Sequence, residues 1–279
     1  MRAIATHPAA RGLNDDAAVL DVGDETLVLT HDTMVEGVHY LTGQDPEDVA
    51  WKLVATNVSD LAAKGARPRW GLLSYQLGGD DLAFLRGLQA ALQHYGDVAL
   101  LGGDTVAAGG AKTIGLTLIG TATHLPVPAR SGAQPGDAVW ITGPVGAAML
   151  GFEALQAGSG ESAPYRRPVA MLGSGQELAP LVSAMMDVSD GLLIDARRMA
   201  EASDVTFALD RLAVPIAASE DRRDEAMRWG DDYQLLFTAP PATTLPVAAH
   251  RIGTVQARGA EPLLLDGKAP AGKLGYEHG

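Results

Sequence analysis

Asp187-Val188-Ser189-Asp190-Gly191 sets two carboxylates and a hydroxyl between an apolar run and the start of an amphipathic helix. Neither a strand end nor a helix start needs that much acid. Four further stretches repeat the theme of a carboxylate beside small polar residues at the edge of an apolar segment: Asn14-Asp15-Asp16, Thr30-His31-Asp32, Asn57-Val58-Ser59-Asp60 and Gly102-Gly103-Asp104-Thr105. The recurrence points to one shared, oxygen-lined cation site, and therefore to a fold that gathers distant segments in one place.

Outward from these clusters, the apolar runs 17–22, 26–30, 70–77, 98–101, 113–121 and 138–142 read as strands. They alternate with helical patterns, which favours a mixed α/β architecture. Asp45-Pro46 offers a capping side chain and a proline at the first helical position, opening a helix that stops near Gly65. A second helix runs from about Asp80 to Tyr95. The connector Leu125-Pro126-Val127-Pro128 marks the boundary between an N-terminal domain over 1–128 and a C-terminal α/β domain over 129–279. Beyond it, Thr142-Gly143-Pro144-Val145-Gly146 joins a strand to a helix over 147–157; such a turn either leaves amides free for phosphate or serves only to reverse the chain. Residues 159–168 read as loop and 192–202 as the helix after the acidic cluster.

Composition bounds the function. The 279 residues can hold one large or two ordinary domains, and 47% hydrophobic content is ample for buried cores. A formal net charge of −13 argues against partners with anionic backbones or surfaces, nucleic acid and membrane alike. An anionic substrate would need metal ions. The absence of cysteine removes disulfides, thiolate catalysis and zinc-thiolate sites. No apolar stretch is long enough to span a bilayer, and the first residues lack the apolar core of a signal peptide, so a cytoplasmic protein is expected.

Taken singly, each cluster has an ordinary explanation. On the helix from Pro46, the residues Asn57 and Asp60 share a face with Val49, Ala50, Leu53, Val54 and Leu61; a carboxylate there needs either a cation or a salt bridge. Asp16 and Asp32 sit at opposite ends of the hairpin-like pair 17–22 and 26–30, where a turn or cap role is common. Asp104 follows a glycine pair, which suits an exposed tight turn. If the clusters converge, carboxylates, hydroxyls and carbonyls, with His31 the only imidazole among them, suit magnesium or manganese. There is no Walker sequence, dinucleotide fingerprint or kinase catalytic loop, so a nucleotide would be held through metals and isolated donors such as Arg130.

The order of motifs resembles the thiamine-monophosphate kinase family, within the aminoimidazole-ribonucleotide-synthetase-like superfamily of ATP-dependent enzymes. The matching segments are Asp15-Asp16-Ala17-Ala18-Val19, Asp32-Thr33-Met34-Val35-Glu36-Gly37-Val38-His39, Asn57-Val58-Ser59-Asp60-Leu61-Ala62-Ala63, Gly102-Gly103-Asp104-Thr105, Arg130-Ser131-Gly132-Ala133, Asp187-Val188-Ser189-Asp190-Gly191-Leu192 and Gly230-Asp231-Asp232-Tyr233. The resemblance implies several Mg²⁺ ions on Asp16, Thr30, Asp32, Asp60, Asp104, Asp187 and Asp190. It implies ATP contacts from Gly103, Asp104, Arg130 and Ser189, and thiamine monophosphate contacts from His39, Asp231 and Tyr276. Asp32 and Asp190 are the residues on which catalysis is expected to depend most.

The implied fold is two mixed α/β domains, the N-terminal one pairing with its twin into a dimeric β-barrel, hence a homodimer. Three positions depart from the family pattern: Asn14 replaces a usual glycine, His31 a hydroxyl residue, and Asp231 a glutamate. The alternatives are another ATP-dependent enzyme of the superfamily, or a nucleotide- and thiamine-phosphate-binding protein without transfer activity. The lack of cysteine counts against the hydrogenase-maturation branch.

Overall fold

The computed structural model describes residues 3–277, which build two sheets on either side of the proline-rich connector. The first contains β1 (Ala18–Val22), β2 (Glu25–Val35), β3 (Ala66–Leu77), β4 (Ala99–Ala107) and β5 (Thr113–Ala122), in the order β1-β2-β5-β3-β4. Helices α1 (Pro46–Ala63) and α2 (Asp81–His94) accompany it. The second sheet contains β6 (Ala138–Ile141), β7 (Ala184–Asp187), β8 (Val205–Leu209), β9 (Leu235–Ala239), β10 (His250–Ala257) and β11 (Leu263–Leu265), ordered β11-β8-β10-β6-β9-β7. Its helices are α3 (Ala147–Ala157), α4 (Ala163–Arg166), α5 (Leu172–Leu178), α6 (Leu192–Ala202) and α7 (Arg223–Ala226). Two mixed α/β domains are therefore present, and α4 occupies part of the stretch expected to be loop.

Local chemistry sets the element boundaries. Asp45 accepts the Glu47 amide at 2.9 Å, with Pro46 at the first turn, and Asp80 accepts the Ala83 amide at 2.9 Å to start α2. The β1–β2 hairpin turns through Gly23-Asp24, with Gly23 in the left-handed region at φ +61°, as a two-residue hairpin requires. Its antiparallel register, Ala18 opposite Leu29, brings the residues before β1 and after Leu29 to the same end. Asp16 and Asp32 thus lie at one end of the hairpin, not at opposite ends.

Helix α1 is buried along most of its length. Leu53, Val54 and Leu61 join the first core, with Leu116 and Leu118, while Ala62 and Ala63 pack with Leu178, Met185 and Phe237 of the C-terminal half. Burial of about 25 cal/mol per Å² of apolar surface stabilises both contacts. Polar ties reinforce the second: Trp51 Nε1 donates to Pro168 O at 3.1 Å, and buried Asp48 pairs with both Arg166 and Arg167. One N-terminal helix therefore serves as the shared spine of both domains.

Gly102 and Gly103 do not form the expected tight turn. They lie within β4, paired in parallel with β3, at φ +147° and +148°. A Cβ on Gly103 would stand 1.8 Å from the Leu73 carbonyl oxygen, so the glycine permits strand approach. All of β4 is exposed, and the five-stranded sheet stays open between its edges β1 and β4. Among the described residues there is no closed barrel within one chain. Among the described residues no helix is long and apolar enough to cross a membrane.

Candidate active site

Lys52, Thr56, Asp60 and Lys64 recur at every fourth position and so form a polar stripe along α1. Asp60 accepts a hydrogen bond from the Thr30 hydroxyl of β2, and the Thr56 hydroxyl, beside Asp32, donates to Leu53 O at 3.0 Å. Lys64, fully buried, lies 2.5 Å from Asp15 Oδ1 and 2.7 Å from Asp16 Oδ2 and donates to Met185 O at 3.1 Å. Arg130 holds the other oxygen of Asp16. From the C-terminal domain, Asp187 at the end of β7 accepts from Ser59 Oγ at 2.6 Å. One oxygen each from Asp16, Asp60 and Asp187 lies within 4.8 Å of the others.

Three carboxylates so close cannot all ionise cheaply out of water. Burial, reinforced by Asp32, Asp187 and Asp16, pushes Asp60 well above the carboxylate range. Burial and then the charge of Asp16 push Asp187 up to about 8, and burial pushes Asp32 up to about 6. Asp16 moves the other way: burial would raise it, but Lys64 and Arg130 together hold it low. The group is short of positive charge. Its donors are carboxylate and hydroxyl oxygens, the set that suits a hard divalent cation such as Mg²⁺, so the residues fit that ion.

The remaining acidic motifs are laced to this cluster through the backbone. Asp195 on α6 accepts the amides of Ser189 and Asp190 at 3.1 and 3.0 Å, and Arg198 pairs with both Asp190 and Asp195. The Asp231 amide donates to Ser189 O at 2.8 Å. A Cβ on Gly230 would lie 2.2 Å from that same oxygen, so only glycine lets the two loops approach. Asp231 and Tyr233 have φ of +64° and +49°, a strained pair of non-glycine residues at a site of this kind. The Tyr276 amide, donating to Asp190 O at 2.8 Å, docks the C-terminal segment on the same loop.

These elements surround a cavity of about 710 Å³. Asp32, Asp60, Asp187, Ser189 and Asp190 line one part, and Phe152, Tyr165, Trp229 and Tyr276 give it aromatic walls. His39 and Asp231 also face it. The Val35 amide donates to His39 Nδ1 at 3.0 Å, which leaves the proton of a neutral ring on Nε2.

Not every expected residue converges. Gly103 and Asp104 lie on exposed β4; the ladder runs Asp104 to Ser74, Ser74 to Gly115 and Gly115 to Thr33. Three strand spacings separate Asp104 from the row of Thr33, roughly 14 Å. His31 alternates away from Thr30 and Asp32 to the other face of β2, exposed, with Nδ1 2.8 Å from Thr117 Oγ1 and Nε2 3.2 Å from Thr33 Oγ1. It is no part of the carboxylate group. The glycine turn before α3 is also not an open phosphate cradle, because Asp232 accepts the amides of Gly146 and Ala148 at 2.6 and 3.1 Å.

Motif and periodicity do not single out Lys52, Lys64, Arg198, Asp195 and Trp229. The i+4 spacing of Lys52, Thr56, Asp60 and Lys64 is the available signal for two of them. Nothing comparable marks Trp229, whose ring lies 5.3 Å from that of Phe152.

Comparison with known proteins addresses the family and the fold. Residues 14–122 match the family AIR synthase related protein, N-terminal domain, and residues 134–262 match AIR synthase related protein, C-terminal domain. The thiamine-monophosphate kinase of Escherichia coli K12 is 34% identical, over 96% of this chain and 91% of the relative. A solved structure of AaThiL complexed with AMPPCP and TMP superposes with a TM-score of 0.85 at 30% identity, covering 95% of this chain and 91% of that one. That of thiamine-monophosphate kinase from Stenotrophomonas maltophilia K279a gives 0.80 at 33% identity, covering 96% and 94%. Hydrogenase maturation protein HypE, at 22% identity and a TM-score of 0.73, shares the fold alone. With both halves of the fold matched and a curated relative aligned along nearly its whole length, the chain belongs to the thiamine-monophosphate kinase family.

Proposed function

We propose that the protein transfers the terminal phosphoryl group of ATP to the phosphate of thiamine monophosphate, giving thiamine diphosphate and ADP. The observation that carries this is the crowded set Asp16, Asp60 and Asp187, of which Asp60 and Asp187 line a cavity with aromatic walls. The family relationship supplies the substrates: a relative at 34% identity bears the kinase name, and the AaThiL complex holds AMPPCP and TMP.

The attacking atom is a phosphate oxygen, largely anionic at neutral pH because a phosphomonoester has a second pKa of about 6. No side chain has to remove a proton. The obstacle is the approach of two polyanions, which at roughly 4 Å costs about 4 kcal/mol per pair of unit charges at an effective dielectric near 20. Asp16, Asp32, Asp60, Asp187 and Asp190, with the Thr30 hydroxyl, are the residues that would hold Mg²⁺. The bound ions would supply charge neutralisation and alignment for in-line transfer. Ser189 and Arg130 would hold the nucleotide, while His39, Asp231 and Tyr276 orient the acceptor. The aromatic walls exclude water, which would otherwise compete as acceptor.

The assembly proposed is a homodimer. Strand β4 leaves an unpaired edge, and Leu100, Leu101 and Val106 are exposed on it beside Leu72 and Leu77 of β3. Covering that surface with a second copy would remove an edge and an apolar patch together. The same pairing could close a barrel and let Asp104 of the partner subunit supply what the three-strand distance denies within one chain. Sedimentation should show a dimer, and Leu101→Glu should shift it to monomer; a monomeric wild type would discard this assembly.

The direct test is incubation of the purified protein with ATP, MgCl₂ and thiamine monophosphate, following thiamine diphosphate by chromatography with an EDTA control. Magnesium-dependent product is expected. Absence of product with ATP still bound would favour the binding-protein alternative.

A further inference from the structure

Lys52 is 1% exposed, yet its ammonium lies at the wall of the cavity and meets three different segments there. Its Nζ is 2.7 Å from Asp231 Oδ2, donates to the His39 carbonyl at 3.0 Å, and stands 3.8 Å from the centre of the Tyr165 ring. An ammonium has three N–H donors. A carboxylate, a carbonyl and an aromatic face account for all three, so Lys52 has no donor left for a phosphate. The two polar partners belong to residues expected to contact the acceptor, one from each domain.

Asp231 is correspondingly fixed from two sides. Tyr233 Oη donates to Oδ1 at 2.8 Å while Lys52 engages Oδ2, and the side chain keeps 30% exposure towards the cavity. Each carboxylate oxygen retains acceptor capacity beyond the one bond it receives. Tyr165 Oη adds a second donor, at 3.3 Å, to the His39 carbonyl. Because Lys52 shares the α1 stripe with Thr56 and Asp60, the element that positions the acceptor groups also positions the carboxylate cluster.

Building on the proposed kinase activity, we infer that Lys52 is a positioning residue for the acceptor: it orients the Asp231 carboxylate and the His39 turn for a thiamine-type ring bearing amine donors, and does not touch the transferred phosphate. Arg166 and Arg167 cannot replace it, since both are engaged by Asp48.

The test compares wild type with K52M, D231N and the double variant K52M/D231N. Calorimetry with thiamine monophosphate alone is combined with steady-state KM values for acceptor and ATP. The expected result is that K52M weakens acceptor binding and raises acceptor KM by about tenfold to a hundredfold, leaving KM for ATP within about twofold. The double variant should bind acceptor no worse than D231N alone, because Lys52 acts through Asp231. Should K52M fail to fold with Asp231 left unpaired, the double variant leaves no lone charge and its comparison with D231N decides.

Unchanged acceptor binding in K52M, a parallel rise in KM for ATP, or losses that multiply in the double variant would each overturn the inference. If wild type makes thiamine diphosphate and K52M equals it, only the role of Lys52 falls. If wild type neither binds nor phosphorylates thiamine monophosphate, both the kinase activity and the role of Lys52 fall.

Discussion

The carboxylate end of the cavity and its acceptor end are built on opposite electrostatic principles. At the first, Asp16, Asp60 and Asp187 crowd together, and only Asp16 has cations close enough to hold it ionised, Lys64 and Arg130. At the second, Asp231 is matched by Lys52 and by the Tyr233 hydroxyl. One end is incomplete without added positive charge, and the other is satisfied by the chain itself. The contrast teaches that a buried acid is either part of the scaffold or a demand for a ligand, and that its neighbours tell which.

The sharpest way to break the contrast is to remove acid from the crowded end. Asp32→Asn and Asp190→Asn should each lower phosphoryl transfer by on the order of a thousandfold, since cation-mediated charge stabilisation is worth several kcal/mol. The metal-free Asp32→Asn protein should melt no lower than wild type, because that substitution relieves repulsion on Asp60. Calorimetry and a product assay on the same preparation check both halves. Unchanged rate and magnesium dependence would remove the residue from the mechanism.

Lys64→Met should do the reverse. It strips the buried counter-charge from Asp15 and Asp16, and breaking a buried pair by deleting one partner costs about 3–5 kcal/mol. Denaturant unfolding without metal should show the loss. A variant as stable as wild type would mean that Arg11, 2.6 Å from Asp15 Oδ2, and Arg130 alone balance those carboxylates.

The pH dependence of the metal-free protein follows in sign. Asp32 and Asp187 are raised in the folded state to about 6 and about 8, and Asp60 is raised well above the carboxylate range, so the native chain binds more protons than the unfolded one. Stability then falls as pH climbs from the unfolded carboxylate value near 4 through about 8. Asp16 is lowered instead, so its contribution is lost only below about pH 4. Magnesium should raise the melting temperature more at pH 8 than at pH 5.5, because binding requires the ionised carboxylates. A metal-free stability that rises over this window would show that the acids are not coupled as described.

The smallest effect expected is that of Thr56→Val, which removes the hydroxyl beside Asp32 and its hydrogen bond to Leu53 O on the same helical stripe. It should cost about 1 kcal/mol and change transfer far less than Asp32→Asn. A loss as large as that of Asp32→Asn would place the hydroxyl itself among the essential groups.

Much of this architecture is legible in the order of residues. The cap at Asp45-Pro46 and the apolar faces locate α1 and α2, and both helices begin and end within about two residues of their expected bounds, since capping and periodicity are local properties. The recurrence of acid beside small polar residues points to Asp16, Asp32, Asp60, Asp187 and Asp190, and the fold groups Asp16 with Asp60 and Asp187 and sets Asp32 and Asp190 on the same cavity as the last two. What local pattern misses depends on which surfaces meet. The Gly102-Gly103 pair reads as a turn until β3 lies against it, and the Thr142–Gly146 turn reads as an anion cradle until Asp232 fills it.

Sequence alone therefore determined which acids recur beside small polar residues: residue type, spacing and order are written in the chain. Tertiary structure decided which of them share a site. Strand alternation removes His31, sheet order holds Asp104 three strands away, and the burial of α1 between two domains makes Lys52 the counter-charge of Asp231 and Lys64 that of Asp15 and Asp16. The physical reason is that charge compensation acts through space over a few ångströms, while the partners here are separated by up to 179 residues of chain.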